Sequence, residues 1–309
     1  MESPETRADY FAPISHAFSD TMLQVRAKPL VFVLIWLILS LAPQILLSYA
    51  FQNPVSDMMD ASLQLINETI AGGDGASTPA SELSGTIFRG IRAVAVMMAV
   101  LLLAEMYLGS VLAGVVRQFR NRTLPVFTDS LRKGAVQFPD FVKAVFSSGI
   151  RILFKPFVVF IVAGVAGLLL NQPMLIYFFF IISGILFLMG LLRYGLGPFV
   201  HLSMGSGGRD SALISKVYYL SHRPVVSLLF MFVILLPMVV VSLLMNLLIS
   251  LGLFGGIGGM ILGILQSLLQ LTMTVVVINF AMNNFLPQDW GIGSASRESD
   301  TPEIPAEKV

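Results

Sequence analysis

Residues 224–288, PVVSLLFMFVILLPMVVVSLLMNLLISLGLFGGIGGMILGILQSLLQLTMTVVVINFAMNNFLPQ, contain no Asp, Glu, Lys or Arg. The run is apolar throughout rather than alternating, so it does not read as strands of a membrane barrel, whose lipid-facing and lumen-facing residues alternate. At 1.5 Å per residue it accommodates two helices across a hydrocarbon core of ~30 Å. Leu253-Phe254-Gly255-Gly256 offers the turn between them. Residues 156–192 are equally free of charge, and Asn171-Gln172-Pro173 divides them in the same way. Residues 30–50 carry no charge, and residues 93–116 carry one, Glu105. The reading is an all-α polytopic membrane protein with six spans, at 30–50, 93–116, 153–171, 174–194, 225–251 and 257–282. Composition agrees. Of 309 residues 56% are hydrophobic and 12% charged, against about 25% charged in soluble domains, which argues against a soluble enzyme.

Basic residues orient the spans. Of the 19 Lys and Arg, all but Arg89 and Arg92 fall in the two tails or in the segments after the second and fourth spans. Both termini are therefore expected in the cytoplasm, in the inner membrane of a bacterium. The polar stretch Met1–Lys28 does not have the pattern of a signal peptide, so the first apolar segment is expected to remain as a span. This divides the chain into a cytoplasmic tail with an interfacial helix (1–29), a membrane domain (30–285) and a proline-rich, disordered tail (286–309). Within the membrane domain lie an outer loop, 51–92, and cytoplasmic segments 117–152 and 195–224. In the outer loop, Val55, Met59, Leu63, Ile66 and Ile70 recur at helical spacing, which predicts a short interfacial helix. Gly72-Gly73-Asp74-Gly75 ends it, and Ala76–Glu82 reads as flexible.

An internal pattern marks the first, third and fifth spans. Lys28-Pro29, Lys155-Pro156 and Arg223-Pro224 each put a cation and then a proline at the start of a span that leaves the cytoplasmic side. Proline suits the first helical turn, where no backbone donor is required, and the cation can reach the headgroups. Amphipathic stretches precede all three, as in the stripe Phe11, Ile14, Phe18, Met22 and Val25. The expectation is three hairpins, each introduced by an interfacial helix that turns into the bilayer at the proline.

Asp210-Ser211-Ala212-Leu213-Ile214-Ser215 is a juxtamembrane helix of this kind, running into Arg223-Pro224 and a span. In this the chain resembles bacterial six-span families such as the membrane domain fused to some glycerophosphodiester phosphodiesterases. The resemblance implies a membrane domain with no catalytic residue, because it does not extend to a phosphodiesterase domain.

Glu105 is the one ionisable side chain deep in a span. A carboxylate there costs several kcal/mol unless it is protonated or paired, which makes it a candidate proton or substrate site. Gln44, Asn246, Gln266 and Gln270 are the polar groups expected to share its cavity or to bind it structurally. Pro43 and Pro237 are expected to kink the first and fifth spans. Gly255, Gly259, Gly263 and Ser267 recur every fourth residue and predict a close helix contact, within the chain or in a homo-oligomer. Gly205-Ser206-Gly207-Gly208-Arg209-Asp210 lacks the lysine of a P-loop and reads as a linker before a helix capped by Asp210 or Ser211. His16, His201 and His222 are scattered and cysteine is absent, so no metal or cofactor is expected. With net charge +1, no nucleic-acid partner is expected either; membrane lipids are. No enzyme motif is present. Two functions remain: transport or lipid handling through a polar cavity around Glu105, or a non-catalytic scaffold or assembly subunit. The topology is checked directly in this cysteine-free chain. Gln64→Cys and Ser77→Cys should react with an impermeant thiol reagent in intact cells, and Ser206→Cys only after permeabilisation. Reaction of Ser206→Cys in intact cells would overturn the six-span assignment.

Overall fold

The computed structural model describes residues 11–70, 80–169, 173–205, 207–219, 224–250 and 257–285. At Pro237, Asn246 and Gly259 only the backbone is described. Every regular element among the described residues is helical: α1 (Ala12–Ala27), α2 (Pro29–Trp36), a π-helical segment (Leu37–Leu41), α3 (Ala42–Ile70), α4 (Ala80–Arg120), α5 (Phe127–Leu169), α6 (Pro173–Tyr194), α7 (Gly197–Met204), α8 (Gly208–Val217), α9 (Pro224–Ser250) and α10 (Ile257–Asn284). Five segments, Pro29–Asn67, Glu82–Arg120, Phe127–Gly167, Tyr177–Met204 and Ile261–Asn284, are long and apolar enough to cross a membrane. The expected fifth span falls on α9, 27 residues without a charge. Large apolar side chains such as Phe157, Phe160, Phe178, Phe180 and Ile181 stand exposed on these helices, a surface that water would not tolerate and lipid requires. The protein is an all-α, multi-pass integral membrane protein.

The first cation–proline pair acts as expected. α1 stops at Ala27, and Lys28 leaves the helical region at φ −144° and ψ 61°. The residue before a proline is driven out of the α conformation by the proline ring, and α2 begins at Pro29. Pro224 likewise opens α9, while Arg223 lies outside the described residues.

The second pair does not. α5 runs unbroken for 43 residues through both Pro139 and Pro156, so Lys155-Pro156 sits inside a helix instead of starting one. Pro156 withholds the donor that the Ile152 carbonyl would otherwise receive. α6 packs against this turn. The Ser183 hydroxyl donates to the Pro156 carbonyl at 3.0 Å, and Gly190 packs against the Ile152 backbone. A Cβ added at Gly190 would stand 3.0 Å from the Ile152 oxygen.

The expected outer loop is also mostly helix. α3 continues out of the first span to Ile70, and α4 starts at Ala80, within the stretch read as flexible. Residues 71–79 and the tail 286–309 lie outside the described residues. α4 and α5, 41 and 43 residues, extend roughly 60–65 Å at 1.5 Å per residue. That is about twice the hydrocarbon thickness, so neither serves as a span over its whole length. α8 is capped by Gly207 rather than Asp210 or Ser211, and α7 ends on Gly205 at φ +68°, a left-handed stop that favours glycine.

The described helices form two compact units, Leu30–Gly109 and a larger one of Met1–Pro29 with Ser110–Val309. The core of the larger unit gathers on α10. From Val275 to Met282 every residue is buried, so this half of α10 is enclosed on all sides. Phe280 stacks on Phe230 of α9 with ring centroids 3.9 Å apart, and Phe285 lies 4.7 Å from Tyr218. Ile14 and Ala17 of α1 close the same core, so α1 packs on protein instead of lying free in the interface.

Close helix approach among the described residues is found at glycines outside the predicted stripe, of which Gly259 has only its backbone described. Within the chain, Gly263 faces open space among the described residues, and Gly255 lies outside them. A tight backbone approach is at Gly134 of α5, where an added Cβ would stand 2.9 Å from the Val111 Cα of α4. Ser110 donates to the Gly134 carbonyl at 3.2 Å across the same crossing. Gly134→Leu should lower stability by at least ~1–3 kcal/mol through overpacking, and Gly263→Leu should stay within ~0.5 kcal/mol. Melting of both variants in detergent checks this, and equal tolerance would remove the crossing from the account.

Candidate functional site

Glu105 lies on α4 inside the second span, half-buried, and its partner comes from the first span. The Ser40 hydroxyl hydrogen-bonds to the Glu105 side chain, and the Gln44 amide donates to Ser40 at 3.4 Å. Ser40 is buried, 3% exposed, within the π-helical segment. There the Ala42 amide donates to the Leu37 carbonyl, five residues back instead of four. Pro43 follows directly, so the irregular turn stands where a proline was expected to disturb the helix. A π turn widens the helix by one residue and changes the direction of the side chains it carries. Gln44 therefore joins Glu105 through a residue that composition did not single out. Ser40 could have been found as the hydroxyl one turn before Gln44.

The other predicted members lie on α9 and α10. Gln266 and Gln270 stand half-buried on α10 in the larger unit, where the Thr274 hydroxyl donates to the Gln270 carbonyl at 2.9 Å. Ser267 is buried on the same helix and donates to the Ile264 carbonyl at 3.1 Å. Asn246 lies on α9 where only the backbone is described.

A second polar group, in the larger unit, was not foreseen. Asn279 of α10 is fully buried and exchanges two hydrogen bonds with the Gln24 amide of α1, each 3.0 Å long. Its amide also donates to the Thr21 hydroxyl at 3.0 Å, and Thr21 donates to the Ala17 carbonyl at 2.8 Å. One turn later the Asn283 amide donates to Asp20 at 3.0 Å. Arg120, at the end of α4, donates to the Asn283 side chain and to the Met282 carbonyl. Arg117 donates to the Leu202 carbonyl at the end of α7. These bonds tie α1, α4, α7 and α10 together. Arg117 and Arg120 had been read only as topology signals; here their guanidinium groups also cap open helix ends, where carbonyls lack intrahelical donors.

No His, Asp and Glu residues gather into a metal-binding group among the described residues. No protein-family model matches the chain, and neither a curated protein nor a solved structure matches it significantly.

The amide pair makes a quantitative expectation. Asn279→Ala strands the Gln24 amide in a dry contact and should cost ~1–3 kcal/mol, as should Gln24→Ala. The double variant should cost less than the sum by at least ~0.5 kcal/mol, because the two share one interaction. Unfolding of the three variants in detergent measures the coupling, and strict additivity would refute it.

Proposed function

We propose that this protein carries out transport or lipid handling in the inner membrane of a bacterium, with both termini in the cytoplasm and its polar intramembrane site at Glu105. The observation that carries the reading is the hydrogen-bonded series Gln44, Ser40, Glu105, held inside a pair of spans by an irregular helical turn. An ionisable group in a span is costly unless it works or is neutralised. Here its partner is a hydroxyl, which can pass on a proton or be displaced by a polar substrate group, and π turns cluster at functional sites. A cation partner would have favoured a purely structural ion pair, and none is recorded for Glu105 among the described residues.

The alternative, a scaffold acting through its interfacial helices, asks those helices to be available to partners. α1 is instead occupied by its contacts with α10.

Reconstitution into liposomes tests the reading in two assays: proton flux with an enclosed pH dye, and exposure of a fluorescent phospholipid to an external reductant. The wild type should exceed empty liposomes in one of them. Glu105→Gln and Ser40→Ala should each slow that process by about tenfold or more, ~1.4 kcal/mol in the barrier, with melting near wild type. Wild-type protein no faster than empty liposomes in both assays, or full rate in Glu105→Gln, would overturn it.

A further inference from the structure

Between α1 and the last turn of α4 the larger unit has a cleft of about 570 Å³, lined by Asp20, Leu23, Gln24, Ala27, Phe119 and Arg120. That volume is within the usual ~300–1,000 Å³ for small-molecule sites. The cleft holds one carboxylate and one guanidinium, yet no ion pair joins Asp20 to Arg120 among the described residues. Asn283 of α10 bonds to both instead. Its amide donates to Asp20 Oδ2 at 3.0 Å, and its side-chain oxygen accepts from Arg120. Arg120 donates once more, to the Met282 carbonyl at 2.7 Å. These bonds engage two of the five N–H donors of Arg120, and Asp20 Oδ1 accepts none from a described residue.

A bond between two charged groups is stronger than one from either charge to a neutral amide. By holding Asp20 and Arg120 to a shared amide, Asn283 keeps that stronger bond unmade and leaves both charges open to the cleft. Gln24 does not fill the gap, because its amide is exchanged with Asn279. The rest of the wall is apolar: Leu23 and Ala27 stand one turn apart on α1, both exposed, and Phe119 precedes Arg120. Ala27 comes just before the apolar helix that begins at Pro29, and Arg120 ends the one that begins at Glu82, so the cleft lies where membrane helices meet the headgroups.

We propose that this cleft binds the zwitterionic headgroup of an ethanolamine phospholipid. The primary ammonium donates to Asp20, the phosphate accepts from Arg120, and an acyl chain continues along Leu23 and Ala27. A choline headgroup carries the same charges but has no N–H to donate, and one ring, Phe119, does not make the aromatic cage that suits a quaternary ammonium. A glycerol headgroup offers Asp20 no cation. The apolar wall selects a lipid over a soluble zwitterion.

The full chain, purified in a neutral detergent, is melted against increasing phosphatidylethanolamine, phosphatidylcholine, phosphatidylglycerol or soluble glycerophosphoethanolamine. Phosphatidylethanolamine should raise the melting temperature by several degrees and reach half-saturation at about tenfold lower concentration than phosphatidylcholine, as one charged hydrogen bond provides. Stepwise N-methylation of the lipid should erase this advantage in the wild-type protein, a measurement that needs no variant to fold. Asp20→Asn keeps an oxygen for the Asn283 amide and should equalise the ethanolamine and choline lipids, whereas Asp140→Asn, outside the cleft, should leave the preference intact. The proposal is overturned if the wild type binds the ethanolamine and choline lipids equally or prefers phosphatidylglycerol. It is also overturned if the ethanolamine preference survives in Asp20→Asn or is lost in Asp140→Asn, or if the soluble headgroup gives an equal rise. No transport is measured, so failure here leaves the Glu105 reading standing.

Discussion

Within a bilayer no water stands ready to replace a lost hydrogen bond, and the whole architecture answers to that constraint. It forces helices, and it also determines what happens where a helix is disturbed. At Pro156 the chain gives up a backbone donor in the middle of α5, and α6 meets the disturbed turn with the Ser183 hydroxyl and the bare backbone of Gly190. At Leu37–Leu41 the helix absorbs its irregularity by pairing five residues back, and the hydroxyl carried by that turn is the one bonded to Glu105.

The same solvent removes the usual reason for apolar side chains to associate. Lipid tails are as apolar as leucine, so helices gain from each other chiefly through close packing and interhelical hydrogen bonds. This explains why glycine matters at Gly134 and Gly190, where backbone meets backbone. It also explains why a fully buried asparagine is acceptable in the core of the larger unit. Asn279 satisfies its amide with Gln24 and Thr21, and in doing so fixes the register of α1 on α10. Phe230 and Phe280 stack beside it and complete the enclosure of the C-terminal half of α10.

Polar chemistry is thus placed at separate stations. Within the smaller unit a carboxyl, a hydroxyl and an amide form a short series between two spans. Within the larger unit, amides and guanidinium groups join α1, α4, α7 and α10.

Much of this protein was legible in its residues alone. The charge-free runs at 156–192 and 224–288 dictate membrane helices, because such segments have no stable alternative in water. The break at Lys28-Pro29 and the bounds of α6 followed from local rules that act within a few residues. Glu105 stood out because its burial cost is a property of the residue and the span together. What those rules could not supply was anything that depends on a second helix. Lys155-Pro156 has the same local signature as Lys28-Pro29, yet one lies inside a helix and the other starts one, because α6 is present to support the disturbed turn. Ser40, Asn279 and Gly134 are ordinary residues until a partner far along the chain arrives at 3 Å or less of spare room. Sequence determines which segments enter the membrane, since that is a transfer free energy of each segment by itself. Tertiary structure decides which polar groups meet, since hydrogen bonds and close packing have a range of a few ångströms and no trace in the order of the residues.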